Sequence, residues 1–112
     1  MAEHLEAHGL RIIERNVEIG GAELDIVACE DSDDGPSGYV FVEVRSRASS
    51  RLGSPLETVG RDKQRRIVRG ATAWLMAHGL WERVEVRFDV VAVDIADGGG
   101  PQWIRGAFEV DG

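Results

Sequence analysis

A single cysteine, Cys29, in a chain of 112 residues excludes an internal disulfide framework and a cysteine-rich zinc site. No apolar run approaches the roughly 20 residues that cross a bilayer. The opening Met1-Ala2-Glu3-His4 lacks a basic region followed by an apolar stretch, so no secretory signal is expected. Prolines are few, three against fourteen glycines, which points to tight turns and not to a disordered tail. Hydrophobic residues at 43% and charged residues at 29% lie in the ordinary globular range. Chains divide into several cores only well beyond about 150 residues, so residues 1–112 read as one domain. A cytoplasmic protein with no membrane partner is the expectation.

Positive charge is also scarce. The net charge is −7 and the pI near 4.9, which for the chain as a whole argues against phosphate-bearing partners. The distribution argues the other way. Arg45, Arg47, Arg51, Arg61, Lys63, Arg65, Arg66 and Arg69 are opposed between residues 45 and 69 only by Glu57 and Asp62, a net +6. The remainder, five cations against eighteen carboxylates, carries −13. A charge run is commonly a solvated helix face; here it follows directly on a group of carboxylates.

Residues 2–8 read as the end of a helix, with Gly9 just past it. Arg11 to Ile19 reads as a strand, Gly20-Gly21 as a tight turn, Glu23 to Cys29 as a second strand and Tyr39 to Arg45 as a third. Glu30 to Gly38 is an acidic hairpin connection. Ser54-Pro55-Leu56-Glu57 has the form of a helix start, and Ile67, Val68, Ala71, Trp74 and Leu75 recur at helical spacing up to Gly79, with Gly60 placed to kink or divide the segment. Val84 to Val93 reads as a long central strand, and Gln102 to Phe108 as a last one. The order α-β-β-β-α-β-β predicts a mixed sheet with a right-handed crossover helix packed on it.

The informative residues are Glu23-x-Asp25 in the second strand and Glu43-x-Arg45 in the third. Alternation puts Glu23 with Asp25, and Glu43 with Arg45, on one face of each strand. A hairpin closing near residue 34 sets Asp25 almost opposite Glu43 and Glu23 opposite Arg45. Two carboxylates so placed repel unless a cation lies between them, and Mg²⁺, or Mn²⁺ in its place, suits a pair of carboxylates completed by water and phosphate. Cross-strand ion pairs on an exposed sheet face, chiefly Glu23 with Arg45, would account for those two residues but poorly for Asp25 opposite Glu43. His4 and His8 have ligand spacing but no third ligand nearby, and read as polar residues of a terminal helix.

Gly21-Ala22-Glu23-Leu24-Asp25, followed by Phe41-Val42-Glu43-Val44-Arg45-x-Arg47, resembles the GEID…FVEVK-x-R signature of the small bacterial YraN-like proteins. These are assigned to the PD-(D/E)xK, or restriction-endonuclease-like, superfamily, with the archaeal Holliday-junction resolvases. Gly9-Leu10-Arg11, Asn16, Gly53-x-Pro55, Lys63 with Arg66-Ile67, Arg87-Phe88-Asp89-Val90-Val91, and Trp103-Ile104 with Ala107-Phe108 extend the resemblance over nearly the whole chain. It implies a restriction-endonuclease-like α/β fold and a nucleic-acid partner, DNA ahead of RNA, with a homodimer allowed.

Carried over by position, Asp25 and Glu43 match the metal-holding acids, with the backbone carbonyl of Val44 as a further ligand and Glu23 in support. Arg45 stands where the superfamily usually has lysine, and with Lys63 it would stabilise a pentacovalent phosphate. An arginine stays protonated and cannot act as a general base. The glutamate usual near the start of helix one falls before Met1 in this alignment, so the first helix is expected to be short. Lys63 and Gln64 extend the sheet-facing side of the long helix toward substrate, and Arg47, Arg51, Arg61, Arg65, Arg66 and Arg69 read as phosphate contacts or solvated charges. The expected function is a Mg²⁺-dependent endonuclease. The alternatives are a non-catalytic nucleic-acid-binding module on the same fold and a protein-interaction domain.

Overall fold

A computed structural model of the chain describes residues 2–7, 9–32, 35–47, 59–94 and 102–108. The elements are α1 (Ala2–Ala7), β1 (Leu10–Ile19), β2 (Ala22–Ser32), β3 (Gly35–Arg47), α2 (Arg61–Ala77), β4 (Val86–Asp94) and β5 (Gln102–Phe108). They form one five-stranded sheet in the order β1-β2-β3-β4-β5. The pairs β1/β2, β2/β3 and β4/β5 are antiparallel, and β3/β4 is parallel, joined across α2. This is the mixed α/β arrangement expected, consistent with a restriction-endonuclease-like fold. In detail the central strand is β3 and not β4, which lies one place from the edge. Its apolar character has a different cause: Phe88 and Val90 face one core while Val91 faces another.

Strand alternation divides the buried side chains between two cores. Val27, Phe41, Phe88 and Val90 meet Ile67, Ala71, Trp74 and Leu75 of α2 on one face. Ile26, Ala28, Val40, Val42 and Val91 meet Leu5 of α1 and Leu10 on the other. At roughly 1.5–3 kcal/mol per fully buried large apolar side chain, the α2 face contributes the larger share of burial.

Gly60 is the residue before the first turn of α2, with φ −70° and ψ 168°, so it bounds the described helix. The proposed start at Ser54 lies outside the described residues, as does His8. Gly70 lets α2 settle against the first hairpin: a Cβ there would stand 3.1 Å from the Ala22 Cβ and 3.2 Å from the Leu24 Cδ2. From the same helix, Arg69 Nε donates to the Gly20 carbonyl at 2.7 Å, tying α2 to the β1–β2 turn.

The far side of β4 carries a second polar arrangement that sequence reasoning did not single out. Asp89 is fully buried and accepts from Arg87 Nε at 2.8 Å and Nη2 at 3.0 Å, from Trp103 Nε1 at 2.9 Å and from the Gly106 N–H at 3.0 Å. Arg87 also bonds Glu30. Four donors satisfy this buried carboxylate, as a buried charge requires. Arg87-x-Asp89 inside an apolar strand is the signal, of the same kind as Glu43-x-Arg45.

Candidate active site

The site begins with a break in strand alternation. Leu24 and Val27 both face α2, whereas Ile26 and Ala28 face the other core, so the period of two resets at Asp25. Across from it on β1, between Arg15 paired with Ile26 and Val17 paired with Leu24, Asn16 takes a left-handed φ of 55°. Asparagine tolerates that region better than most residues. The β2/β3 ladder likewise stops at Ile26 opposite Val42. One step beyond, Asp25 Oδ2 accepts the Val44 N–H at 2.9 Å, so a side chain replaces a backbone partner.

This bond holds the Asp25 carboxyl against Glu43. Glu43 follows Phe41 on the α2 side of β3 and is 4% exposed. Its carboxyl is pushed up to about 7, first by burial and then by the nearby charge and hydrogen bond of Asp25, with Lys63 pulling it down. Lys63 Nζ lies 3.3 Å from Glu43 Oε1, and Arg45 Nη1 lies 3.8 Å from the same oxygen. Lys63 sits in the first turn of α2, where Arg61 and Arg65 stand close by and only Asp62 complements the positive end of the helix dipole. Cations there oppose the dipole, so local helix stability does not explain them.

The structure therefore brings Asp25, Glu43, Arg45 and Lys63 together. It does not pair Glu23 with Arg45: Arg45 turns to Glu43, and Glu23 is exposed. The reason is the reset at Asp25, beyond which the two strands no longer continue as a regular ladder. Gln64 donates to the Val59 carbonyl at 3.0 Å, steadying the entry to α2. Arg65 makes an exposed pair with Asp62, Arg69 clamps the hairpin turn, and Arg61 and Arg66 are exposed on α2. Arg51 lies outside the described residues, and Arg47 is placed by its backbone only, at the end of β3.

Two adjacent carboxyls, one of them buried and held from ionising by burial and by its neighbour, fit a hard cation that offsets their repulsion, keeps most of its water and takes phosphate oxygen, as Mg²⁺ does. They do not make a closed structural centre: no group of three or more His, Cys, Asp or Glu suited to a metal occurs among the described residues. Sequence reasoning matched Asn16 within the resemblance without giving it a part in the site, and passed over Glu18, one of the residues around an open groove beside the first turns of α2.

A mixed five-stranded sheet with one long helix packed over it, and acids at a strand irregularity, defines the class: a mixed α/β domain consistent with a restriction-endonuclease-like fold. Residues 1–93 match the family described as "Uncharacterised protein family UPF0102", and the chain belongs to that family, the YraN-like proteins. It is 40% identical over 112 residues to a UPF0102 protein of Marinobacter nauticus, covering 98% of this chain and 86% of that one. Against a UPF0102 protein of Stutzerimonas stutzeri the identity is 43% over 109 residues, 96% and 86% of the two chains. A UPF0102 protein of Anaeromyxobacter dehalogenans is 47% identical over 97 residues, 87% of this chain and 68% of the other. No helix among the described residues is long and apolar enough to cross a membrane.

Proposed function

We propose that this protein binds nucleic acid and hydrolyses phosphodiester bonds with a Mg²⁺ ion held by Asp25 and Glu43. The observation that carries the reading is Glu43: a carboxyl buried beside a second carboxyl, faced by two cations, in a strand otherwise built for a core. Ion pairing alone does not require that burial, because an exposed pair costs far less desolvation. Bound there, Mg²⁺ would lower the pKa of a coordinated water and offset charge on the scissile phosphate. The carbonyl of Val44, the residue whose N–H fixes Asp25, would be a further ligand for such an ion. Lys63 and Arg45 draw the phosphate toward Glu43 and offset the charge gathering on its oxygens.

The test is a cleavage screen with Mg²⁺ or Mn²⁺ over duplex, single-stranded, flapped and four-way substrates. Parent protein is expected to cleave at least one of them, and Asp25→Asn to lose cleavage while keeping its affinity. Unchanged cleavage by purified Asp25→Asn would place the activity elsewhere. One observation favours a second reading, a binding module without catalysis: of the two cations at Glu43, Arg45 on the same strand stays protonated and cannot serve as a general base. Binding without cleavage of any substrate would select it.

A further inference from the structure

Among the described residues, two that are not glycine carry a positive φ, Asn16 at 55° and Glu82 at 64°. Glu82 lies in the turn between α2 and β4, whereas Asn16 lies inside a ten-residue strand. A left-handed residue there costs free energy that an extended neighbour would not. The Asn16 side chain does not offset that cost, being exposed and making no hydrogen bond with the described residues. No inserted residue forces it either. Arg15 with Ile26 and Val17 with Leu24 keep one register across the break, unlike the bulge between Ile12 and Glu14.

What the break changes is the direction of Asp25, which stands opposite Asn16. Alternation counted from Leu24, which faces α2, would send Asp25 to the far side of the sheet, away from Glu43. Counted from Ile26, which faces the other core, it sends Asp25 toward α2. The second direction holds: the Asp25 carboxyl lies beside Glu43, with Oδ2 on the Val44 N–H at 2.9 Å. The β2/β3 ladder ends at Ile26 opposite Val42, so Asp25 stands where a backbone partner would otherwise be. A regular pleat through residue 16 would carry the ladder on and turn the carboxyl away.

We infer that Asn16 is a positioning residue for the metal site: its left-handed backbone, on the strand next to the ligands, aims the Asp25 carboxylate at Glu43; the inference rests on the metal reading above. The backbone conformation acts here, and the amide group does not. Ile13 before it, and Val17 and Ile19 after it, all packed on the α2 core, hold β1 in this bent path. Glycine takes the left-handed region without a Cβ clash, and asparagine tolerates it. A valine there is stiff and suits a regular strand, so it straightens β1 and returns Asp25 to the alternation of Leu24. Residue 16 is exposed on an edge strand, so the exchange removes no packing.

The experiment titrates Mn²⁺ into the full chain by EPR, which reads the free aqueous ion, and follows amide hydrogen exchange by NMR in the metal-free protein. Parent protein is expected to bind Mn²⁺, and Asp25→Asn to lose it. Asn16→Val should weaken binding by roughly 10–100-fold, the usual effect of losing a residue that orients a metal ligand. It should also speed exchange of the Val44 amide relative to the other amides of β3, which a general loss of stability would not do. Asn16→Gly should match the parent in both measurements. A thermal melt accompanies each variant; if Asn16→Val does not fold, Asn16→Ala carries the same test. Asn16→Val with parent-like Mn²⁺ affinity or unchanged Val44 exchange, or Asn16→Gly as weak as Asn16→Val, overturns the inference while the metal reading stands. A parent that binds no Mn²⁺, or binds it equally after Asp25→Asn, overturns the metal reading and the inference together.

Discussion

Glu43 ionises at the expense of the fold, and the sign of that effect is open to measurement. Its folded pKa of about 7 lies above the ordinary glutamate value, so the folded state holds this proton more tightly than the unfolded chain. Its contribution is fully present below about 4.3 and is lost as pH rises toward 7. Glu43→Gln, which cannot ionise, should therefore melt higher than the parent at pH 8 and close to it at pH 4.5, with a gain of at most roughly 3 kcal/mol. Thermal melts at the two pH values check this; an equal difference at both would mean that Glu43 is ionised throughout. Arg45 offers a second test at the same oxygen. Lysine sheds its proton when desolvated among other charges, whereas arginine does not. If the parent cleaves, Arg45→Lys should raise the rate, with a melt run alongside because the shorter side chain also loosens the contact with Glu43.

At the scale of elements, the legible parts were those set by periodicity and turn chemistry. Asp25 and Glu43 were found together because the run of paired strand residues from Glu30 opposite Gly38 to Ile26 opposite Val42 keeps one register, as the hairpin reading assumed. Glu23 and Arg45 were mispaired because the reset at Asp25 depends on the positive φ of Asn16 across the ladder, and no single-strand pattern reports that. The body of α2 was legible from Ile67, Ala71, Trp74 and Leu75. The role of Arg69 was not, since its target, the Gly20 carbonyl, is 49 residues away in sequence. Asp89 was matched within the resemblance, but not recognised as a buried pin. It joins β4 to β5 through Trp103 and Gly106 and gathers Arg87 from its own strand. Asp89→Ala leaves the half-buried Arg87 guanidinium with Glu30 alone and strands two donors, Trp103 Nε1 and the Gly106 N–H, so chemical denaturation should show a loss of roughly 1–3 kcal/mol. A loss below about 1 kcal/mol would mean that water replaces the carboxylate, as at an exposed pair.

Across the whole molecule, the relevant asymmetry is a −7 protein with its cations gathered between residues 45 and 69. Acidic surface elsewhere repels phosphate backbones, so the nucleic-acid binding proposed above would be confined to the face where the first half of α2 meets the open end of the β2/β3 pair. Lys63 lies there beside Glu43, with Arg65 and Arg66 exposed on the same stretch of α2. Such contacts release counterions and carry no sequence information, so affinity should fall with salt at a slope set by the number of phosphates engaged. Arg65→Glu/Arg66→Glu removes two contacts and adds two repulsions. It should weaken binding alike for unrelated sequences and flatten the slope of log K against log salt by at least about 1.4 for a single strand. Arg65 pairs only with exposed Asp62, 75% and 93% exposed respectively, so the reversal costs the fold little. Equal binding by parent and variant at low salt would reduce the basic segment to a solvated face. A parallel shift with an unchanged slope would instead place the phosphate contacts elsewhere and leave Arg65 and Arg66 acting only through the field they add.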